Sequence, residues 1–172
     1  MKKISTPEQM LEYGKELAKE HKILLLHGEL WAGKTLLAKW FAQGLGVNHD
    51  MVQSPTYAYL NVYESNFNHQ GNQWNAVSLD NWIMSTIWET ASINEVKWLQ
   101  ISKTVGRKLL HIDMYRINEY SQLVEKWIID QINEFDYIVI ERPKFIDQLP
   151  FKDSTTFHIK KISETERSVE AE

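Results

Sequence analysis

Residues 28–35 are the feature that most constrains what this chain can fold into. They match the pattern G-x-x-x-x-G-K-[ST] of a phosphate-binding loop. The two glycines allow a tight turn whose N–H groups point at phosphate oxygens. In this pattern the lysine reaches the outer phosphates and the threonine hydroxyl binds Mg²⁺. The predicted nucleotide-binding residues are Gly28, Glu29, Leu30, Trp31, Ala32, Gly33, Lys34 and Thr35.

The flanks of this loop support the same interpretation. Residues 23–26 form a continuous apolar run, typical of a strand that is buried on both faces. Residues 36–42 follow at helical period and end near Gly44 and Gly46. A strand, a loop and a helix in this order aim a helix N-terminus at an anion. The alternative is a chance match to a short pattern, which this context disfavours.

Composition limits the classes of protein that remain. The chain has 172 residues, a net charge of −4 and no cysteine. We therefore expect one domain over residues 1–172, without disulfides or thiolate metal sites. A mildly acidic chain lacks the basic face of a dedicated nucleic-acid binder. No signal peptide or membrane-spanning run is visible, so the expected location is the cytoplasm, with no membrane contact.

Hydrophobic patterns predict the other elements. Helices are expected over residues 7–21 and 119–134, the second with Leu123, Trp127, Ile128 and Ile132 facing inward. Strands are expected over residues 56–63, 108–113, 137–141 and 155–162, and from residue 167 onward. Alternating strands and helices indicate an α/β fold. The expected architecture is a three-layer sandwich of the type found in phosphate-loop NTPases, with a mostly parallel central sheet.

Residues 64–107 differ in character from the rest. A polar loop is followed by segments with helical spacing, and the stretch contains four of the seven tryptophans. We predict a helical insertion within the domain. Its tryptophans serve either a small core of its own or, alternatively, a docking surface for a partner.

Two carboxylates end predicted strands on the loop's side of the sheet. Asp113 and Glu141 are those residues, and ligands collect at this edge in open α/β sheets. Beside Mg²⁺ and a nucleotide, one acid holds the metal while the other orients or deprotonates a water. Thr56 is a candidate switch residue that senses the terminal phosphate. Alternatively, each of the two acids is a solvated residue at the end of a strand or a partner for an arginine. Thr56 is alternatively an ordinary threonine at a strand edge. His111 is either a general base or a structural histidine.

Four segments taken together resemble the TsaE family, the small bacterial ATPases needed for threonylcarbamoyladenosine formation in tRNA. The matching segments are residues 27–35, Gln53-Ser54-Pro55-Thr56-Tyr57, His111-Ile112-Asp113-Met114-Tyr115-Arg116 and Ile140-Glu141-Arg142-Pro143. Their order and spacing are similar to those of the family apart from residues 64–107. The second and third segments are far more specific than the phosphate loop alone.

The resemblance implies a function and the roles of the site residues. The chain would be a Mg²⁺-dependent ATPase, weak alone, that supports attachment of the threonylcarbamoyl group to adenosine 37 of tRNA. It would bind and reset a complex of TsaD and TsaB-like proteins, and would contact tRNA only through that complex. Lys34 and Thr35 would hold phosphate and Mg²⁺, and Glu141 would be the metal-associated acid. Thr56 would be the switch residue and Asp113 the acid near the attacking water.

The same resemblance places three further residues near the nucleotide base, namely Pro7, Glu8 and Arg167. The family has glycine at the position of Trp31 and tryptophan at the position of Arg142, and it lacks the insertion. Two other functions stay open at this point. One is a small-molecule phosphotransferase, although its usual arginine-rich lid is not evident. The other is a nucleotide-gated binding module that does not hydrolyse ATP, which the bulky Trp31 makes plausible.

Overall fold

The computed structural model describes residues 1–65, 75–77, 107–151 and 153–172, with backbone alone for residues 75–77. Most of the predicted insertion at 64–107, including its four tryptophans, lies outside the described residues. The described piece at 75–77 is a strand paired with the main sheet. In the described part of the chain, no helix is long and apolar enough to cross a membrane.

A single sheet organises the molecule. In the described residues it has eight strands in the order β1-β8-β7-β2-β6-β5-β3-β4. The four central strands β7, β2, β6 and β5 are mutually parallel, and the outer pairs are antiparallel. The strands are β1 (Lys2–Ile4), β2 (Ile23–His27), β3 (Leu60–Glu64), β4 (Asn75–Val77), β5 (Lys108–Asp113), β6 (Tyr137–Glu141), β7 (Ser154–Lys161) and β8 (Arg167–Ala171). The predicted, mostly parallel central sheet is confirmed.

Helices cover both faces of this sheet. They are α1 (Pro7–Glu20), α2 (Lys34–Gly44), α3 (Ser121–Glu125) and α4 (Ile128–Glu134). Two separate apolar cores result. One lies between the sheet and α1 with α2, and contains Leu24 and Leu26. The other lies against α3 and α4 and contains Leu25. The alternation along β2 shows why its run is apolar throughout: both faces of this strand are buried.

Sequence capping signals place the start of α1 correctly. The Thr6 hydroxyl accepts a hydrogen bond from the Gln9 amide at 3.2 Å, and Pro7 occupies the first helical position. Thr6 thus satisfies an amide that would otherwise lack a partner at the helix start. The helix ends at Glu20, one residue before the predicted end.

The prediction of one continuous helix over residues 119–134 is wrong. The chain forms two short helices because Trp127 adopts a left-handed conformation, with φ of 58°. This break turns the Trp127 side chain outward, where it is 68% exposed, against the inward position predicted. Leu123, Ile128 and Ile132 are buried as expected.

The predicted strand over residues 56–63 begins later than expected. Pairing starts only at Leu60, because Tyr59 has a left-handed backbone with φ of 68° and residues 56–58 form a turn. Strands β1 and β4 were not predicted. Both are three residues long, too short for an alternating pattern to be recognised.

Candidate functional site

The loop between β2 and α2 has the geometry of an anion cradle. Gly33 precedes the first residue of α2 with φ of 110°, a conformation that glycine adopts without strain. No side chain caps this helix start and no acid lies in its first turn. Its first amides and the positive end of its dipole are therefore available to a phosphate.

Two further loop positions show how tightly the backbone is arranged. A Cβ atom at Gly28 would lie 2.4 Å from the Ile159 carbonyl oxygen, so only glycine fits there. Trp31 has φ of 64° and its side chain is 80% exposed. A left-handed conformation costs a residue with a Cβ atom on the order of 1 kcal/mol. The structure therefore places a strained residue within the loop.

Lys34 spans this loop from the first turn of α2. Its Nζ atom donates to the carbonyl oxygens of Gly28 at 2.8 Å and Glu29 at 2.7 Å, and the residue is only 4% exposed. Burial lowers the pKa of Lys34, while the negative charge of Glu141 opposes that shift. The ammonium group is thus held at the centre of the cradle, where it can meet outer phosphate oxygens.

Glu141 forms one side of the site, which we call the Glu141 side. It ends β6 beside Leu26 of β2, so the strand pairing itself brings it next to the loop. Its Oε1 atom accepts the Thr35 hydroxyl at 2.7 Å and the His111 Nε2–H at 2.9 Å. The carboxyl group is almost fully buried. Thr35 and Glu141 are thus in contact, as joint ligation of a metal ion requires.

The donor set on the Glu141 side fits Mg²⁺. Hydroxyl and carboxylate oxygens are the hard ligands that this ion prefers, and it takes its remaining ligands from phosphates and water. Across the described ranges, no group of three or more histidines and acids is placed to hold a metal unaided.

Asp113 forms the opposite side, which we call the Asp113 side. It is the register partner of Glu141 on the neighbouring strand and is fully buried. Its carboxylate accepts the Thr56 hydroxyl at 2.5 Å, the Tyr115 amide at 3.0 Å and the Arg142 guanidinium. Burial alone would raise the pKa of Asp113, but these hydrogen bonds together lower it. Asp113 is consequently held as a carboxylate.

Thr56 and Asp113 meet although the sequence placed Thr56 in a strand. Thr56 lies in the turn before β3, and its hydroxyl is also 2.8 Å from that of Ser54. His111 is fully buried, and its Nδ1 atom has no hydrogen-bond partner within the part of the chain that the structure describes. Its visible role is to donate to Glu141, which favours a structural role over a general base.

A cleft of about 800 Å³ joins the two sides. Arg167 of β8 lies on its wall beside Gly33 and donates to the backbone oxygens of Ser163, Glu164 and Glu166. Pro7 and Glu8 do not line this cleft. Its lining residues are Leu30, Trp31, Gly33, Lys34, Thr35, Leu36, Ser54, Thr56, Tyr57, Tyr115, Glu141, Arg142 and Arg167.

Sequence reasoning missed the contribution of Arg142. It suggested arginines as partners for the two acids and marked Arg142 as a difference from the resembling family. In the structure the guanidinium binds Asp113 and Thr56 and stacks over the Tyr115 ring at 4.5 Å. The available signal was its position, immediately after the strand-end Glu141 and therefore at the same edge of the sheet as the loop.

Comparison with known proteins gives three findings. Residues 4–80 match the family model described as threonylcarbamoyl adenosine biosynthesis protein TsaE. A 46-residue stretch is 46% identical to the tRNA threonylcarbamoyladenosine biosynthesis protein TsaE of Bacillus subtilis. That stretch spans 27% of this chain and only 28% of the relative. A crystal structure of Bacillus subtilis YdiB has a similar fold, with a TM-score of 0.52 and 20% identity over 98% of this chain and 80% of that one.

Proposed function

We propose that this chain is a member of the TsaE family, whose model its residues 4–80 match, and that it is a Mg²⁺-dependent ATP hydrolase acting in formation of the threonylcarbamoyl group on tRNA adenosine. It binds a modification complex of TsaD and TsaB-like proteins and resets that complex between turnovers. Hydrolysis is weak for the isolated protein and rises when the partners bind. Contact with tRNA is indirect, through the complex.

One observation carries this proposal. A single cleft is lined by Lys34 and Thr35 on the loop and by Glu141 and Thr56 from elsewhere in the chain. Asp113 lies directly behind Thr56 at 2.5 Å. These groups supply an ammonium, a hydroxyl and carboxylates around one space, as hydrolysis of a Mg²⁺-bound triphosphate requires.

The residues divide the work according to their contacts. Lys34 and the first amides of α2 hold the outer phosphates, and Arg167 lies where the rest of the nucleotide can be contacted. Thr35 and Glu141 would hold Mg²⁺, which when bound neutralises charge on the phosphate oxygens. Thr56 and Asp113 orient the water. Its oxygen bonds to the terminal phosphorus while the bond to the ADP oxygen breaks, giving ADP and inorganic phosphate.

We assign Asp113 to orienting the water rather than to abstracting its proton, because a carboxylate is a weak base at neutral pH. The proton of the water passes to phosphate oxygens and solvent while Asp113 fixes the direction of attack. Positioning of this kind accounts for most catalysis of phosphoryl transfer.

A second function is favoured by two specific observations. Trp31 is strained in the loop, and Arg142 covers Asp113. Both are consistent with a nucleotide-gated binding module that binds ATP without hydrolysing it. For such a module the nucleotide would act only as a switch for partner binding.

The test measures phosphate release from ATP and ATP binding, with wild-type protein and Glu141→Gln, each with and without the partner complex. The ATPase proposal predicts release by wild type that rises with partners, and ATP binding without release by Glu141→Gln. Binding by both proteins without release would establish the binding module instead. Release that strictly requires a small acceptor would identify a phosphotransferase.

A further inference from the structure

Arg142 makes contacts that occupy both candidate water-positioning groups. Its Nε atom donates to Asp113 Oδ1 at 2.9 Å, and its Nη2 atom donates to Asp113 Oδ2. The same Nη2 atom donates to the Thr56 hydroxyl at 3.0 Å. With these contacts in place, neither Asp113 nor Thr56 has its full hydrogen-bonding capacity free for a water.

The backbone holds Arg142 at the cleft in a defined way. Its amide donates to the Leu26 carbonyl at 2.9 Å, which ties it to the strand that leads into the phosphate loop. Its φ of 52° is left-handed and turns the chain sharply after β6. The guanidinium stacks 4.5 Å from the Tyr115 ring, and the side chain is 18% exposed. Arg142 is thus anchored at its backbone while its guanidinium faces the cleft.

The charges in the cleft favour a move of the Arg142 guanidinium from Asp113 to a phosphate when a nucleotide enters. Asp113 offers Arg142 one negative charge, whereas a triphosphate offers several, only partly neutralised by Mg²⁺. The planar fork of a guanidinium matches phosphate oxygens as well as it matches a carboxylate. Asp113 keeps the Thr56 hydroxyl and the Tyr115 amide after Arg142 leaves, so it does not become an unpaired buried charge.

We propose that Arg142 binds the terminal phosphate of a nucleoside triphosphate and thereby releases Asp113 and Thr56 to hold the attacking water. This inference rests on the proposed function and adds to it a residue that reads the difference between a triphosphate and a diphosphate. A diphosphate lacks the third phosphate group that Arg142 would bind, so Arg142 stays on Asp113.

The experiment measures dissociation constants of wild type and Arg142→Gln for a Mg²⁺-bound, non-hydrolysable ATP analogue and for Mg²⁺-bound ADP. Loss of one charge-assisted contact reduces affinity by about tenfold or more. We therefore expect Arg142→Gln to bind the triphosphate analogue about tenfold more weakly while its ADP affinity changes by less than about twofold. Arg142→Lys should retain part of the preference, because it keeps the charge without the fork.

Arg107→Gln is the matched control. Arg107 precedes the other end of β5, and its guanidinium lies 5.9 Å from the Tyr137 ring. This variant loses the same charge at a distance from the cleft, and both affinities should match those of wild type. If Arg142→Gln does not fold, as judged by its thermal unfolding, the comparison rests on Arg142→Lys.

Three results would overturn the inference. An equal loss for both nucleotides would make Arg142 a structural residue, and unchanged affinities would mean that it stays on Asp113. Both leave the proposed function intact, because wild type still binds ATP. If wild type binds neither nucleotide, the proposed function fails together with the inference.

Discussion

The Glu141 side and the Asp113 side start from the same position in the fold but differ in their partners. Asp113 and Glu141 are register partners at the ends of adjacent parallel strands, and both are buried. Glu141 accepts hydrogen bonds from a hydroxyl and an imidazole, whereas the hydrogen bonds that Asp113 accepts include one from a guanidinium. Equivalent backbone positions therefore carry different electrostatic environments.

This difference indicates which acid is prepared for which task. Glu141 touches Thr35, so its charge lies where a metal ion would arrive with the phosphates. Asp113 is already neutralised by Arg142 and is fixed in orientation by Thr56 and the Tyr115 amide. Glu141 itself lines the cleft, whereas on the other side Arg142 lines it and contacts Asp113 behind.

Removing Lys34 should break the function of both sides at once. Lys34→Ala deletes the cation at the centre of the loop, and we expect turnover of ATP to fall by on the order of 10³-fold. Lys39→Ala changes a lysine on the same helix, outside the cleft lining, and should retain wild-type turnover. Phosphate release in the presence of the partner complex is the measurement. Similar losses in both variants would argue against the cleft as the site.

The dependence on Mg²⁺ should separate the two acids. For Glu141→Gln we expect the Mg²⁺ concentration at half-maximal nucleotide binding to rise by about tenfold, because a metal-associated carboxylate is lost. For Asp113→Asn it should change by less than about twofold. Magnesium titrations at fixed ATP analogue provide the comparison. A larger shift for Asp113→Asn would mean that the two roles have been exchanged.

Replacing Trp31 by glycine tests the contribution of the loop to nucleotide binding independently of the two acids. Relief of about 1 kcal/mol of backbone strain should tighten nucleotide binding by about fivefold if binding holds the loop in this conformation. Binding of the ATP analogue and of ADP should improve equally, because the loop holds phosphates that they share. Trp31→Ala keeps a Cβ atom and serves as the control. Equal improvement in both variants would attribute the effect to the indole rather than to strain.

Acid stability gives the smallest expected contrast. The pKa of Asp113 is lowered in the fold, so its carboxylate stabilises the protein above the unfolded-state value of about 4. That contribution is lost as the pH falls through the folded-state value. Asp113→Asn should therefore lose less free energy of unfolding than wild type as the pH falls below about 4. Urea unfolding across this pH range measures the free energy of unfolding of both proteins. Equal losses in both would mean that the ion pair of Asp113 does not stabilise the fold.

The parts of the fold that sequence predicted are those carried by strong local signals. The phosphate loop, the apolar strand before it and the capped start of α1 each leave a pattern in a few residues. The break at Trp127 leaves none, because tryptophan is not a residue type that favours the left-handed backbone it adopts. Strand order likewise depends on contacts between distant segments.

The candidate site could be predicted only in part for the same reason. Strand ends predicted that Asp113 and Glu141 share one edge of the sheet with the loop, and the register pairs them directly. Which acid receives Arg142 depends on the left-handed turn after β6, a backbone detail that sequence does not specify. The resemblance already implied a metal-associated Glu141 and a water-associated Asp113, and the structure adds the Arg142 contact that distinguishes their surroundings.

Titration calorimetry of the wild-type protein with ATP, in the presence and absence of Mg²⁺, tests the central claim most directly. The account predicts a saturable heat with one nucleotide per chain, tighter with Mg²⁺ than without it. Absence of heat with ATP and every other purine triphosphate, at protein concentrations where the chain is folded, would contradict it.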